Sequence, residues 1–268
     1  MTNEELKKYF AKDLGWGWTY QSQKVFAFLQ EAAKHAKGGA ILDAGAGHQR
    51  YKPFFEECLY LAQEHPVAGQ QNKGIQQFDI LCDVRTIPLQ NDVLEAVLST
   101  SSLEHMEFPL EFFHEAFRVL KPGGGLFINV PFIYGEHEQP YDFQRLTRFG
   151  LRRWYEAAGF ERVEIEPMSN SMNSALFMLS CALNEEMAAR HPARGLSPRR
   201  VAQAIERRVV RVMCALLNRR WGETPHEATT APIGWIARGF KARISGRDFG
   251  NTGGTVAQFL AHYGSAPK

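Results

Sequence analysis

The chain has 268 residues, a formal net charge of +2 and 44% hydrophobic content, enough for one large core or a core with a smaller subdomain. No stretch reaches the roughly 18 uninterrupted apolar residues of a membrane span. Residues 1–10 carry Glu4, Glu5, Lys7 and Lys8 where a signal peptide needs an apolar run, so a cytoplasmic protein is expected. Cys58, Cys82, Cys181 and Cys214 lack metal-type spacing and read as reduced, mostly buried thiols. Charge is uneven: residues 1–168 hold 17 Lys+Arg against 23 Asp+Glu, and residues 169–268 hold 14 against 6, which predicts different work for the two parts.

In chain order, residues 4–10 and 21–36 have helical periodicity, with Val25, Phe26, Phe28, Leu29 and Ala32 as the apolar stripe of the second. Gly38-Gly39 ends that helix, and the aromatic cluster at 14–20 between the two reads first as packing and second as a cap on the cofactor or acceptor pocket. Residues 41–51 predict a strand running into a tight turn, where Gly45 and Gly47 let backbone approach a ligand. A dinucleotide fingerprint would need a third glycine at position 50, which is Arg50. Asp43, just before the turn, suits an ammonium group better than a diphosphate.

A second strand at 59–62 follows a helix near 53–57 and leads to Glu64, where doubly wound folds place an acceptor for ribose hydroxyls. Strands are predicted at 78–82, 94–100, 126–130 and 163–166, and helices at 112–120 and 150–158. Alternation of this kind means an α/β fold, a mostly parallel doubly wound sheet with helices on both faces. Helices at 174–187 and 197–218 form an expected C-terminal helical insertion, residues 224–254 read as irregular, and 255–263 reads as a late closing strand. The expected organisation is helices capping a pocket at 1–37, a core at 38–167, and a basic insertion at 168–268.

Asp43-Ala44-Gly45-Ala46-Gly47 resembles motif I, acid-x-Gly-x-Gly, of the Rossmann-like S-adenosylmethionine (SAM) dependent methyltransferases; the frequent third glycine of that motif falls on Gln49. Three further phrases carry the resemblance across about residues 38–167. Asp83 with Ile87-Pro88-Leu89 and Asn91-Asp92 is similar to the pattern in which the aspartate binds the adenine amino group. Ser101-Ser102-Leu103-Glu104-His105 matches Ser-x-Leu-Glu-His, and Phe117-Arg118-Val119-Leu120-Lys121-Pro122-Gly123-Gly124 is among the more specific matches. The resemblance implies SAM as cofactor, held by Asp43, Gly45, Ala46, Gly47, Glu64, Asp83, Val84, Ser99 and Glu104 on the loops after the first four strands.

The polar loop at 131–147 is left to face the methyl group. His137 is the expected general base, and related chains carry a similar His-x-x-Pro-x-Asp phrase, matched by His137, Pro140 and Asp142. His105 is its rival. In ubiquinone-pathway O-methyltransferases a similar Glu-His pair, with another Glu three residues earlier, holds a metal ion. That earlier position is Ser101 here, and one carboxylate with one imidazole is a poor cage for a hard cation, so no metal is expected.

The expected activity is methylation of a small-molecule acceptor on oxygen or nitrogen. Nucleic-acid methylation is disfavoured, because residues 99–102 read Ser-Thr-Ser-Ser where base methyltransferases carry an Asn- or Asp-Pro-Pro-aromatic phrase. A silent SAM-binding scaffold is the third reading. Arg200, Arg207 and Arg211 share the basic face of the 197–218 helix, read as solvated surface or as a weak contact with an anionic membrane or a phosphorylated carrier. Nothing in the sequence sets the oligomeric state.

Overall fold

The computed structural model describes residues 2–13, 20–67, 77–190 and 229–243, with isolated positions between 205 and 220. Seven strands form one sheet: β1 (Ala40–Ala44), β2 (Leu59–Glu64), β3 (Ile80–Leu81), β4 (Leu94–Thr100), β5 (Leu120–Pro131), β6 (Glu161–Pro167) and β7 (Gly234–Phe240). Their spatial order is β3-β2-β1-β4-β5-β7-β6. β1 to β5 pair in parallel, while β7 runs antiparallel to both β5 and β6. The chain works outward from β1 to β3 and then returns to β4 on the other side of β1. That reversal opens a crevice beyond the carboxyl ends of β1 and β4, where open α/β sheets bind ligands.

The central strands are apolar on both sides because helices cover both faces. The helices are α1 (Asn3–Asp13), α2 (Tyr20–Ala36), α3 (Pro109–Val119), α4 (Arg148–Ala157) and α5 (Ser171–Arg190). Val25, Phe26, Phe28, Leu29 and Ala32 of α2 bury themselves with Ile41, Ala62, Ala96, Leu98 and Phe127 on one face. Phe112, Phe113 and Ala116 of α3, with Leu151 and Tyr155 of α4, cover Leu42, Val97, Leu126, Ile128 and Ala237 on the other. Successive strand residues point to opposite faces, so adjacent positions such as Ile41 and Leu42 feed different cores. The Thr147 hydroxyl caps α4 by accepting from the Gly150 N–H. Arg238 on β7 pairs with Glu31 of α2 and with Glu164 and Glu166 of β6, tying the N-terminal helix to the last two strands.

The closing strand is the main departure from the sequence reading. Residues 234–240, expected to be irregular, form β7 between β5 and β6, so the sheet extends beyond residues 38–167. The stretch carries few pattern cues, and its two glycines serve packing. A Cβ on Gly234 would lie 2.6 Å from the Val130 carbonyl oxygen, and one on Gly239 would lie 2.5 Å from the Tyr155 ring. β3 spans two residues rather than the expected five, 78–82. The expected strand at 255–263, the aromatic residues at 14–19, and Arg200, Arg207 and Arg211 lie outside the described residues. Among the described residues no helix is long and apolar enough to cross a membrane.

Candidate active site

At the carboxyl end of β1 the chain turns through Gly45 and Gly47, both at positive φ, of 76° and 49°. β2 fastens that turn from below. The Gly45 N–H donates to the Gln63 carbonyl and side-chain oxygens, Ala46 N–H to the Gln63 carbonyl, and Gly47 N–H to Glu64 Oε2 at 2.9 Å. Glu64 Oε1 takes the His65 N–H, and each carboxylate oxygen keeps a further lone pair for a ligand hydroxyl. Asp43 is fully buried under the turn. The Tyr60 hydroxyl donates to its Oδ2, while its Oδ1 is buried with no partner. Burial pushes the Asp43 carboxyl up to about 7; the Tyr60 hydrogen bond opposes this and the nearby Glu64 charge adds to it.

The two glycines differ in what they face. A Cβ on Gly45 would come within 2.6 Å of Ser102 Cβ, whose hydroxyl bonds the Ala44 carbonyl at 2.9 Å and the Ser99 hydroxyl at 2.7 Å. The Cα of Gly45 therefore packs against the loop after β4. A Cβ on Gly47 would meet nothing within 4 Å, so the open space begins there. Ser99 lies inside the sheet and is fully buried. In the loop after β3, Asp83 takes the Arg85 N–H at 2.9 Å and its guanidinium at 2.7 Å. That pairing holds the Asp83 carboxyl below its ordinary value. Val84 beside it is half-buried.

A second cluster forms where the loop after β4 meets the loop after β5. Phe143 N–H donates to the Glu104 carbonyl, and the Gln144 side chain to the carbonyls of Leu103 and Met106, pinning the loops together. Glu104 is fully buried with both carboxylate oxygens unpartnered. Burial pushes its carboxyl up to about 7. Its Oε1 lies 3.7 Å from His137 Nε2 and 3.8 Å from His105 Nε2. Asp142 accepts the His137 backbone N–H at 2.9 Å and is clamped by two 2.6 Å bonds from Arg145, which hold it well below the usual carboxylate range. The His105 and His137 rings meet edge to face at 4.7 Å, and Tyr134, stacked on Phe177 of α5, borders His137.

The structure thus joins His137, Asp142 and His105, the three residues singled out for catalysis, in one cluster. It also brings Glu104 beside them. Tyr60, Tyr134 and Phe177 were not singled out from the sequence, since each reads as an ordinary aromatic of a strand, loop or helix.

Residues 42–128 match the model of a methyltransferase domain family. Among solved structures, a SAM-dependent methyltransferase from Archaeoglobus fulgidus aligns with a TM-score of 0.50 at 17% identity, over 82% of this chain and 94% of that one. A putative sarcosine dimethylglycine methyltransferase from Galdieria sulphuraria aligns at 0.48 and 19%, over 82% and 86%. Phosphoethanolamine N-methyltransferase 2 of Haemonchus contortus, in complex with SAM, aligns at 0.49 and 14%, over 85% of this chain. The present chain spans about half of that enzyme, 53%. A search of the curated proteins found no match. The sheet order and the Archaeoglobus fulgidus alignment define a Rossmann-like α/β fold. Within that fold, residues 42–128 are similar to a methyltransferase domain.

Proposed function

We propose that the protein transfers the methyl group of SAM to an oxygen or nitrogen of a small-molecule acceptor lying against the loop at 131–147. The observation that carries this reading is the cluster of Glu104, His105, His137 and Asp142 at the same end of the sheet as the glycine turn. The turn fits the cofactor. The unpartnered Asp43 Oδ1 suits an ammonium group, the open side of Gly47 leaves room for backbone contact, and Glu64 suits ribose hydroxyls. Gly45, Ala46, Asp83 and Val84 complete the cradle, with Ser99 behind it.

SAM supplies a methyl group on a sulfonium sulfur, so catalysis consists mainly of holding the acceptor atom in line with it. Removing the acceptor proton falls to His137 Nε2. Its Nδ1 lies 3.3 Å from the Gly135 carbonyl and 3.4 Å from Asp142 Oδ2, both acceptors, and 3.5 Å from Arg145 Nη2, a donor; in the tautomer that donates to the two nearer acceptors, the Nε2 lone pair is free. Asp142, fixed by Arg145, positions the ring. His105 borders it from the β4 side.

Transfer of labelled methyl from SAM tests the reading against a panel of phenols, carboxylates and amines, with DNA and RNA as controls. Label confined to small oxygen or nitrogen acceptors is the expected result. Label on nucleic acid, or SAM binding without transfer to any acceptor, overturns it.

The contrast between the glycines predicts a separation of folding from binding. Asparagine tolerates left-handed backbone, so Gly45→Asn isolates the clash with Ser102 and is expected to cost about 1–3 kcal/mol in thermal unfolding. Gly47→Asn leaves the transition near that of the wild type but fills the open space, and SAM affinity measured by calorimetry falls about tenfold or more, equivalent to about 1.4 kcal/mol.

A further inference from the structure

We infer that Glu104, His105 and His137 form a binding site for a divalent transition-metal cation such as Zn2+ or Co2+. One carboxylate oxygen and two imidazole nitrogens lie within 4.8 Å of one another. Ligands of a common ion, bound at about 2.0–2.2 Å, stand roughly 3–3.5 Å apart. The 3.7 and 3.8 Å separations from Glu104 Oε1 therefore need only small side-chain shifts.

The outer faces of both rings are set for ligation. His105 Nδ1 is 2.8 Å from the Tyr141 carbonyl, which can only accept, so Nδ1 carries the hydrogen and Nε2 offers its lone pair inward. His137 Nδ1 faces the Gly135 carbonyl and the Asp142 carboxylate. Imidazole ligands take this arrangement at metal sites, with the second nitrogen donating to a carbonyl or carboxylate. The inner face has the complementary need. Both Glu104 oxygens are buried and no hydrogen bond reaches either of them. The Arg145 guanidinium spends its terminal nitrogens on Asp142, Gly135 and Gln144. Three acceptor atoms thus face one another, with Glu104 buried and both rings partly exposed, an arrangement that calls for positive charge.

Two imidazoles and a carboxylate favour a borderline metal over Mg2+ or Ca2+, which prefer oxygen donors. Exposed Glu138, with Oε2 3.9 Å from His105 Nε2, offers a further ligand, and the remaining position is left for water or an acceptor oxygen. Glu104 and His105 alone would make a poor cage; His137 arrives from another loop to complete it. With the cation bound, His137 would serve as a ligand and not as the base; the cation would lower the acceptor's proton affinity and the proton would pass to water, a consequence that rests on the proposed function, whereas the site itself does not.

The full chain, stripped with a chelator, is titrated with Zn2+ and Co2+ by calorimetry and by Co2+ visible absorption, without SAM or acceptor. One tight equivalent per chain is expected, not displaced by excess Mg2+, and weakened at least tenfold in Glu104→Gln, His105→Ala and His137→Ala. Zn2+ should raise the Tm of the wild type more than that of any variant. Should Glu104→Gln fail to fold, His105→Gln at the half-buried rim replaces it. Absence of a tight equivalent, or wild-type affinity in the variants, overturns the site. Because no cofactor is present, the outcome is independent of whether the methyltransfer reading holds.

Discussion

Asp43→Asn is expected to weaken SAM binding by roughly one to two orders of magnitude, the worth of a hydrogen bond to a charged group. The same substitution should make the cofactor-free protein more stable at pH 8. The buried carboxyl titrates at about 7 in the folded protein against an ordinary value of 3.8. Between those values the unfolded chain has already lost its proton while the folded one keeps it, so stability falls as pH rises from about 4 to about 7 and stays lowered above. A difference of this size is worth up to roughly 4 kcal/mol, or several degrees in Tm for a chain this long. Asparagine keeps the Tyr60 hydrogen bond and never ionises, so it escapes that loss. SAM affinity of the wild type should rise from pH 6 to 8, as ionised Asp43 becomes available to the cofactor's ammonium, and stay flat in the variant. Thermal unfolding and calorimetry across pH check both halves. Equal SAM affinity in the two proteins would remove Asp43 from the site.

His137→Ala should lower kcat by about 10²–10⁴, the usual contribution of a positioned base, with little change in SAM affinity. Measured with chelator present, the variant reports the base role apart from any ligand role. The deficit should shrink at high pH, where the acceptor ionises unaided. Asp142→Asn keeps an acceptor for the His137 backbone N–H but drops the charge that Arg145 clamps, and an intermediate loss is expected. A His137→Ala enzyme with wild-type turnover would leave the residue as part of the loop's scaffold.

The stability gain expected at Asp43 and the binding loss there have one cause. An ionisable group kept under a turn, with one oxygen satisfied by Tyr60 and the other left over, costs the fold what it returns to a ligand. Glu104 shows the same pattern at the second cluster, where burial again leaves a carboxylate without donors.

Local patterns sufficed for much of the molecule. Alternation and 3.6-residue periodicity located α2, β1, β2, β4, β5 and α4 because each is specified by near neighbours along the chain. The Asp43-x-Gly45-x-Gly47 spacing marked the turn after β1 for the same reason. β7 escaped, since 224–254 carries few local cues, and the close packing that Gly234 and Gly239 allow against Val130 and Tyr155 exists only in the fold. Which glycine faces open space depended on where Ser102 sits, a residue on another loop. The pairing of Tyr60 with Asp43 required the β1–β2 register. The meeting of Glu104 and His105 with His137 required β4 and β5 to lie side by side. Chemistry-bearing residues could be named from the sequence one by one; their grouping was decided by strand order, because parallel neighbours deliver their loops to the same end of the sheet whatever their separation along the chain.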